Sequence, residues 1–250
     1  MRVAIIENMI NTQLGALGEA LNEAGALLNW YRPWKDGVLP RFDSAYSALL
    51  VMGGEQSAVD DDVHPYLPEL VRLLRQYGEA GRPVLGICLG SQILARAYGA
   101  ENKLGATLEF GWHEIELTDE GKDDPVLSAV AGSFTIFQWH SDTFSLPEGA
   151  IRLAKNGAVA NQAFRVGSLA YGTQFHFEAN SDVIEVWKGE SAPTIERLAP
   201  GWLADYDRIA AENAPNAEAA GLALARAWVR LVKQHEQATQ MPIRMREAGG

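Results

Sequence analysis

Pro83-Val84-Leu85-Gly86-Ile87-Cys88-Leu89-Gly90-Ser91-Gln92 passes from one structural period to another within a few residues. The short apolar run up to Ile87 follows a Gly/Pro boundary and reads as a buried strand of an α/β sheet. From Ser91 to Tyr98 the spacing is helical, with Ile93, Leu94 and Ala97 on one side and Gly99 as the stop. Cys88 stands at the junction, flanked by Gly86 and Gly90. A sharp strand-to-helix turn needs small neighbours, and it lifts the residue at its apex above the sheet while the following N–H groups point into the same space. The only cysteine of the chain is thus expected near a helix N-terminus, where the dipole and unpaired N–H groups favour the reactive thiolate. A buried cysteine packed as a small hydrophobe is the alternative reading of the same letters.

Towards the N-terminus the strand-helix alternation continues. Val3 to Glu7 reads as a first strand, and Leu14, Leu17, Ala20, Leu21 and Ala24 repeat at helical spacing before Gly25. Leu27 to Tyr31 is a second strand. Ala48 to Met52 is a third and runs into Gly53-Gly54-Glu55. Pro65 to Ala80 is amphipathic, with Leu67, Leu70, Val71 and Leu74 on one face. This order predicts a doubly wound, mostly parallel sheet that binds ligands outside the carboxyl ends of its strands. Beyond Glu109 the period shortens: Glu114 to Leu117, Ser133 to Gln138, Ile151 to Ala154 and Ser168 to Phe175 read as strands, separated by turn signals such as Pro147-Glu148-Gly149 and Asn156-Gly157. They predict an antiparallel extension, the last strand delivering His176. After Asn180 the pattern is helical, and Ala220, Leu224, Ala227, Trp228 and Leu231 form a stripe read as intramolecular packing. The expectation is one domain over residues 1–237, with a helical addition from about residue 181 and an aperiodic, mobile tail over 238–250.

A thiolate needs a proton carrier. Gly172-Thr173-Gln174-Phe175-His176-Phe177-Glu178 supplies one about ninety residues downstream, a spatial rather than sequential partner. On an extended strand, residues i and i+2 share a face, so Glu178 can orient the His176 imidazole through one ring nitrogen while the other faces Cys88. That is a Cys-His-Glu triad. The double glycine lets backbone approach a ligand, and an amide there, paired with that of Leu89, can receive an oxyanion, an effect worth ~3 kcal/mol per donor.

Together these segments resemble the class I, or triad, glutamine amidotransferases over about Arg2 to Asn180. The resemblance is strongest to stand-alone relatives of the amidotransferase portion of guanosine monophosphate synthetase, through Gln138-Trp139-His140-Ser141-Asp142. It implies a flavodoxin-like sheet and a reaction. Cys88 would attack the amide carbon of glutamine or another γ-glutamyl compound, with His176 relaying the proton and Glu178 holding His176. The backbone amides of Gly54 and Leu89 would receive the oxyanion. Gly53, Gln92, Trp139, His140 and Ser141 would bind the γ-glutamyl group, and ammonia or an amine would leave from a thioester that water resolves. No metal or organic cofactor is implied. The partner implied is the γ-glutamyl small molecule, alone or with a separate ammonia-accepting synthetase subunit. Phe177 and Glu55 stand where the family usually has proline, and Glu55 brings a carboxylate towards the pocket mouth. Nothing after Asn180 resembles the ATP-pyrophosphatase phosphate loop of a complete synthetase.

Composition fits this class. The chain has 250 residues, 47% hydrophobic and 21% charged, enough for one large core. A formal net charge of −11 disfavours nonspecific attraction to nucleic acid or anionic membrane. One cysteine precludes an intrachain disulfide, and a nucleophilic thiol points to the reducing cytoplasm. Arg2 to Glu7 is too soon polar for a signal peptide, and no apolar run has spanning length. Asp60-Asp61-Asp62 before Pro65 reads as a helix-capping turn rather than a metal site, even with His64 nearby. His64, His113 and His235 have no evident partner, and the consecutive His140-Ser141-Asp142 cannot converge as a serine triad. Two other classes stay open: a noncatalytic binding member of the fold, and a cysteine variant of the α/β-hydrolases. In the latter the acid normally precedes the histidine on a separate loop.

Overall fold

In the computed structural model, which describes residues 1–43 and 45–240, the first half alternates strand and helix. β1 (Arg2–Ile6), α1 (Gly15–Glu23), β2 (Leu27–Tyr31), α2 (Pro33–Asp36), β3 (Ala48–Val51), α3 (Leu67–Glu79), β4 (Val84–Ile87) and α4 (Leu89–Ala97) follow in turn. Then come β5 (Asn102–Lys103), β6 (Glu109–Leu117), α5 (Asp119–Lys122), β7 (Ser133–His140), β8 (Thr143–Phe144), β9 (Ile151–Lys155), β10 (Ala163–Val166) and β11 (Ala170–Thr173). Among the described residues two helices follow, α6 (Ser181–Leu198) and α7 (Tyr206–Gln240).

One sheet has the order β2-β1-β3-β4-β11-β10-β9-β6-β7. Its first five strands pair in parallel and the remainder antiparallel. The parallel half thus has the 2-1-3-4-5 order of a flavodoxin-like sheet. β3 and β4 are buried along their whole length, so they read as unbroken apolar runs rather than alternating ones. On β1 the two faces separate by the strand period: Val3 and Ile5 join α1 and α7 in one core, while Ala4 and Ile6 join α3 and α4 in the other. Leu224, Ala227, Trp228 and Leu231 of α7 are buried in the first of these, as the stripe predicts.

Four local expectations are corrected. α4 begins at Leu89, two residues before the helical spacing becomes visible, because the Cys88 carbonyl accepts from the Ser91 and Gln92 amides at 3.0 and 3.1 Å. The single strand expected over Ser168–Phe175 is instead half of a hairpin: β10 turns through Gly167, at φ 57°, into β11, and the chain leaves the sheet after Thr173. Asp61 does not cap α3, whose N-cap position is Tyr66 without a side-chain bond; both Asp61 oxygens face the Arg96 guanidinium at 2.6 Å. Finally, α7 continues through residues 238–240, and the rest of the expected tail, 241–250, lies outside the described residues. Among the described residues no helix is long and apolar enough to cross a membrane.

Candidate active site

Cys88 sits at the carboxyl end of β4, in the middle of the parallel half, with φ 52° and ψ −111°. This is positive-φ backbone that a side-chain-bearing residue rarely adopts, at a cost of ~1–3 kcal/mol. The surroundings over-determine it. The Cys88 amide donates to the Thr173 carbonyl at 2.8 Å, and the Ser91 hydroxyl donates to the Cys88 carbonyl at 2.7 Å. Both flanking glycines are required by contact: a Cβ on Gly90 would lie 2.1 Å from the Val51 carbonyl oxygen, and one on Gly86 would lie 2.3 Å from that of Gly90. The N-terminus of α4 therefore rests directly on β3 and β4.

His176 reaches the same place from β11, though not on a continuing strand. It forms an isolated bridge in which its amide donates to the Phe137 carbonyl at 2.9 Å, and Glu178 lies in the turn that follows. The strand geometry expected for the pair is corrected, yet the pairing stands: His176 Nδ1 is 2.7 Å from Glu178 Oε1. Cys88 and His176 flank Gly53, where a Cβ would lie 3.6 Å from Cys88 Cβ and 3.3 Å from His176 Cε1. Burial opposes charge on the imidazole, but the Glu178 carboxylate and the Cys88 side chain outweigh it and hold the His176 pKa well above its usual value. The Trp187 ring stands edge-on to the imidazole, 5.1 Å between centroids. The Cys88 thiol faces the Trp139 carbonyl at 3.7 Å and the Gln174 amide nitrogen at 3.8 Å.

The Gly53-Gly54 loop is pinned by side chains that motif reading passed over. Asn8, just past β1, donates to the Met52 carbonyl at 2.8 Å; Gln56 donates to the Asn8 carbonyl at 2.9 Å, and the Tyr66 hydroxyl to Asn8 Oδ1 at 3.1 Å. Gly54 and Leu89 are neighbours, since a Cβ on Gly54 would lie 2.8 Å from Leu89 Cδ2. Among the described residues neither backbone amide has an acceptor.

The opposite wall is Trp139 to Asp142. Buried His140 holds it from within: Nε2 is 3.0 Å from Glu109 Oε2, and Nδ1 is 3.0 Å from the Asp142 carbonyl oxygen. That same carbonyl accepts from the Gln92 amide at 3.1 Å, which ties α4 to the wall. Glu109 is buried and also accepts from Asn156 at 2.6 Å and Gln162 at 2.7 Å. Burial pushes its pKa up, but the His140 and Asn156 donors prevail and leave it lowered. Glu109, Asn8 and Trp187 had no signal in a single sequence, because each acts through contacts more than ten positions away along the chain; Gln174 stood in the histidine motif but was given no role there, and its contact to Cys88 spans 86 positions.

All the residues singled out from the sequence line one cavity of about 480 Å³: Cys88, His176 and Glu178, Gly53, Gly54 and Leu89, and Gln92, Trp139, His140 and Ser141. Glu55 lies on its rim, as its motif position implied. Among the described residues no group of His, Cys, Asp and Glu is arranged to hold a metal ion.

A strained cysteine at a strand-helix elbow of a doubly wound sheet, facing a histidine held by a carboxylate, defines a class of α/β proteins. The chain belongs to the class I glutamine amidotransferases: the family model, Glutamine amidotransferase class-I, matches residues 16–185. The glutamine amidotransferase-like protein YfeJ of Salmonella typhimurium is 30% identical over 188 residues, covering 74% of this chain and 79% of that protein. One subunit of the glutamine-hydrolysing GMP synthase of Thermococcus kodakarensis is 33% identical over 108 residues, 42% of this chain and 56% of that protein. The crystal structure of a glutamine amidotransferase from Thermotoga maritima superposes with a TM-score of 0.82 at 27% identity, covering 92% of this chain and 97% of that one.

Proposed function

We propose that the chain hydrolyses the γ-glutamyl amide bond of glutamine or a related γ-glutamyl compound through a thioester on Cys88. The observation that carries this reading is the meeting of Cys88 with the His176–Glu178 pair across Gly53, in a cavity that Gly54 and Leu89 also line. His176 takes the thiol proton as sulfur bonds to the amide carbon, and the Gly54 and Leu89 amides donate to the resulting oxyanion. The carbon–nitrogen bond then breaks and the nitrogen leaves with the proton from His176. Water attacks the thioester, gives its proton to His176, and glutamate departs as the thiol is restored. Glu178 keeps His176 in one orientation and offsets its positive charge throughout. Gln92 and the Trp139–Ser141 wall bind the γ-glutamyl group.

The test is to incubate the protein with glutamine, glutathione and γ-glutamyl amines and follow released amine and glutamate. Cys88→Ala is expected to abolish turnover, and His176→Ala to trap a glutamyl adduct on Cys88 detectable by intact mass. Turnover that survives Cys88→Ala would falsify the mechanism. The relatives that are single subunits of a GMP synthase favour a second form of the same reading, in which ammonia passes to a separate synthetase subunit. Stimulation of glutamine hydrolysis by such a protein supports that form, and full activity without one supports a stand-alone hydrolase. Binding of γ-glutamyl compounds without turnover would instead make this a noncatalytic member of the fold.

A further inference from the structure

The deep end of the cavity, between Gly53, Cys88 and Gln92, lies within the segment matched by the family, but part of its outer wall does not. Trp187, Ser191, Thr194 and Arg197 all line the cavity beyond residue 185, where the match ends. A break in α6 shapes this wall. Ser191 leaves helical geometry at φ −121°, ψ 19°, two residues before Pro193, whose ring and missing N–H interrupt a helix. Ser191, Thr194 and Arg197, spaced three apart, then face the cavity from one side of the helical segment. The volume of about 480 Å³ falls within the ~300–1,000 Å³ that holds drug-sized molecules, more room than glutamine alone needs.

Charge indicates what fills the rest. Among the described residues Arg197 is the only Lys or Arg that lines the cavity, and its guanidinium has no hydrogen-bond or ion-pair partner. Three of the four acidic side chains there are engaged: Glu178 with His176, Asp142 with the Gly105 amide at 2.8 Å, and Glu190 with Asn11 at 2.6 Å. A guanidinium presents a planar fork that matches a carboxylate. We infer that the outer chamber receives the leaving group and that Arg197 recognises a carboxylate on it, making γ-glutamyl dipeptides the preferred substrate class. The inference rests on the reading of Cys88 as acyl acceptor. When the carbon–nitrogen bond breaks, the α-amine of the leaving amino acid takes the proton from His176 while its carboxylate stays with Arg197. Glu55, also on the rim and unpartnered among the described residues, represents the competing chemistry, a cationic leaving amine.

The experiment compares three γ-glutamyl amides of similar size, whose leaving amines are glycine (anionic), propylamine (neutral) and ethylenediamine (cationic), with glutamine alongside. The wild type is expected to favour the glycine amide in kcat/KM over the neutral one. Arg197→Gln is expected to lower that ratio about fivefold, the upper range for an exposed ion pair, Arg197→Lys to restore it in part, and Arg197→Glu to invert it. Because each variant is judged by a ratio within one preparation, partial loss of folded protein does not alter the result. A ratio unchanged in Arg197→Gln, a preference for the cationic amide, or hydrolysis of glutamine but not the glycine amide overturns the proposal and leaves the Cys88 reading intact. Failure to hydrolyse any of the four overturns both.

Discussion

At the scale of single residues, His176 couples chemistry to pH. Burial works against its charged form, yet Glu178 and Cys88 raise its pKa well above the ordinary 6.5. A group whose pKa rises on folding contributes stability that is complete below the unfolded value, about 6.5, and that is lost as pH rises through the folded value. Removing Cys88 removes one of the causes. In Cys88→Ala the imidazole is expected to titrate lower than in the wild type, and the alkaline loss of stability, which starts from the same unfolded value, to be smaller and complete at lower pH. Imidazole NMR titration and urea unfolding across a pH series check both, and identical titrations in the two proteins would contradict the coupling. The pairing of His176 with Glu178 was legible from their spacing, but for an incomplete reason: they meet through a turn after a bridge rather than along a strand. What the i, i+2 argument captured was proximity, which the turn also provides.

At the scale of elements, the elbow depends on how closely α4 approaches β3. A methyl group at Gly90 would enter the space of the Val51 carbonyl at 2.1 Å, and backbone cannot move aside as a side chain can. Gly90→Ala is therefore expected to cost at least ~1–3 kcal/mol, and to displace Cys88 so that activity falls further than stability. Gly157, with open space around the position of its absent Cβ, should tolerate the same change within ~0.5 kcal/mol. Thermal unfolding and glutamine turnover of the two variants make the comparison. β3, beside this elbow, was readable because its unbroken apolar run ends at Gly53-Gly54. β10 was missed because its four residues before the Gly167 turn are too few to show a clear period, and β5 and β8 because two-residue strands carry none.

At the scale of the whole molecule, the C-terminal helices brace the loop that bears Glu178. α7 passes so close that a Cβ on Gly221 would lie 2.2 Å from the Phe177 carbonyl oxygen, and from the other side the Ala16 amide of α1 donates to the Glu178 carbonyl at 3.0 Å. Trp228, fully buried on α7 in the core shared with β1 and α1, anchors that helix. Trp228→Ala is expected to cost ~3–5 kcal/mol in urea unfolding, and a loss under ~1 kcal/mol would show that α7 packs less firmly than its burial indicates. The parallel half of the sheet, the cysteine elbow and the His-x-Glu pair follow from the order of the residues alone, because apolar period, glycine punctuation and short motif spacing are local properties. That Glu109, Asn8 and Gln174 support the site, and that the broken helix α6 walls its outer chamber with Arg197 on the cavity side, emerges only once the chain is packed. Those roles arise where segments far apart in the chain come together, and no local pattern encodes which distant surface a side chain will meet.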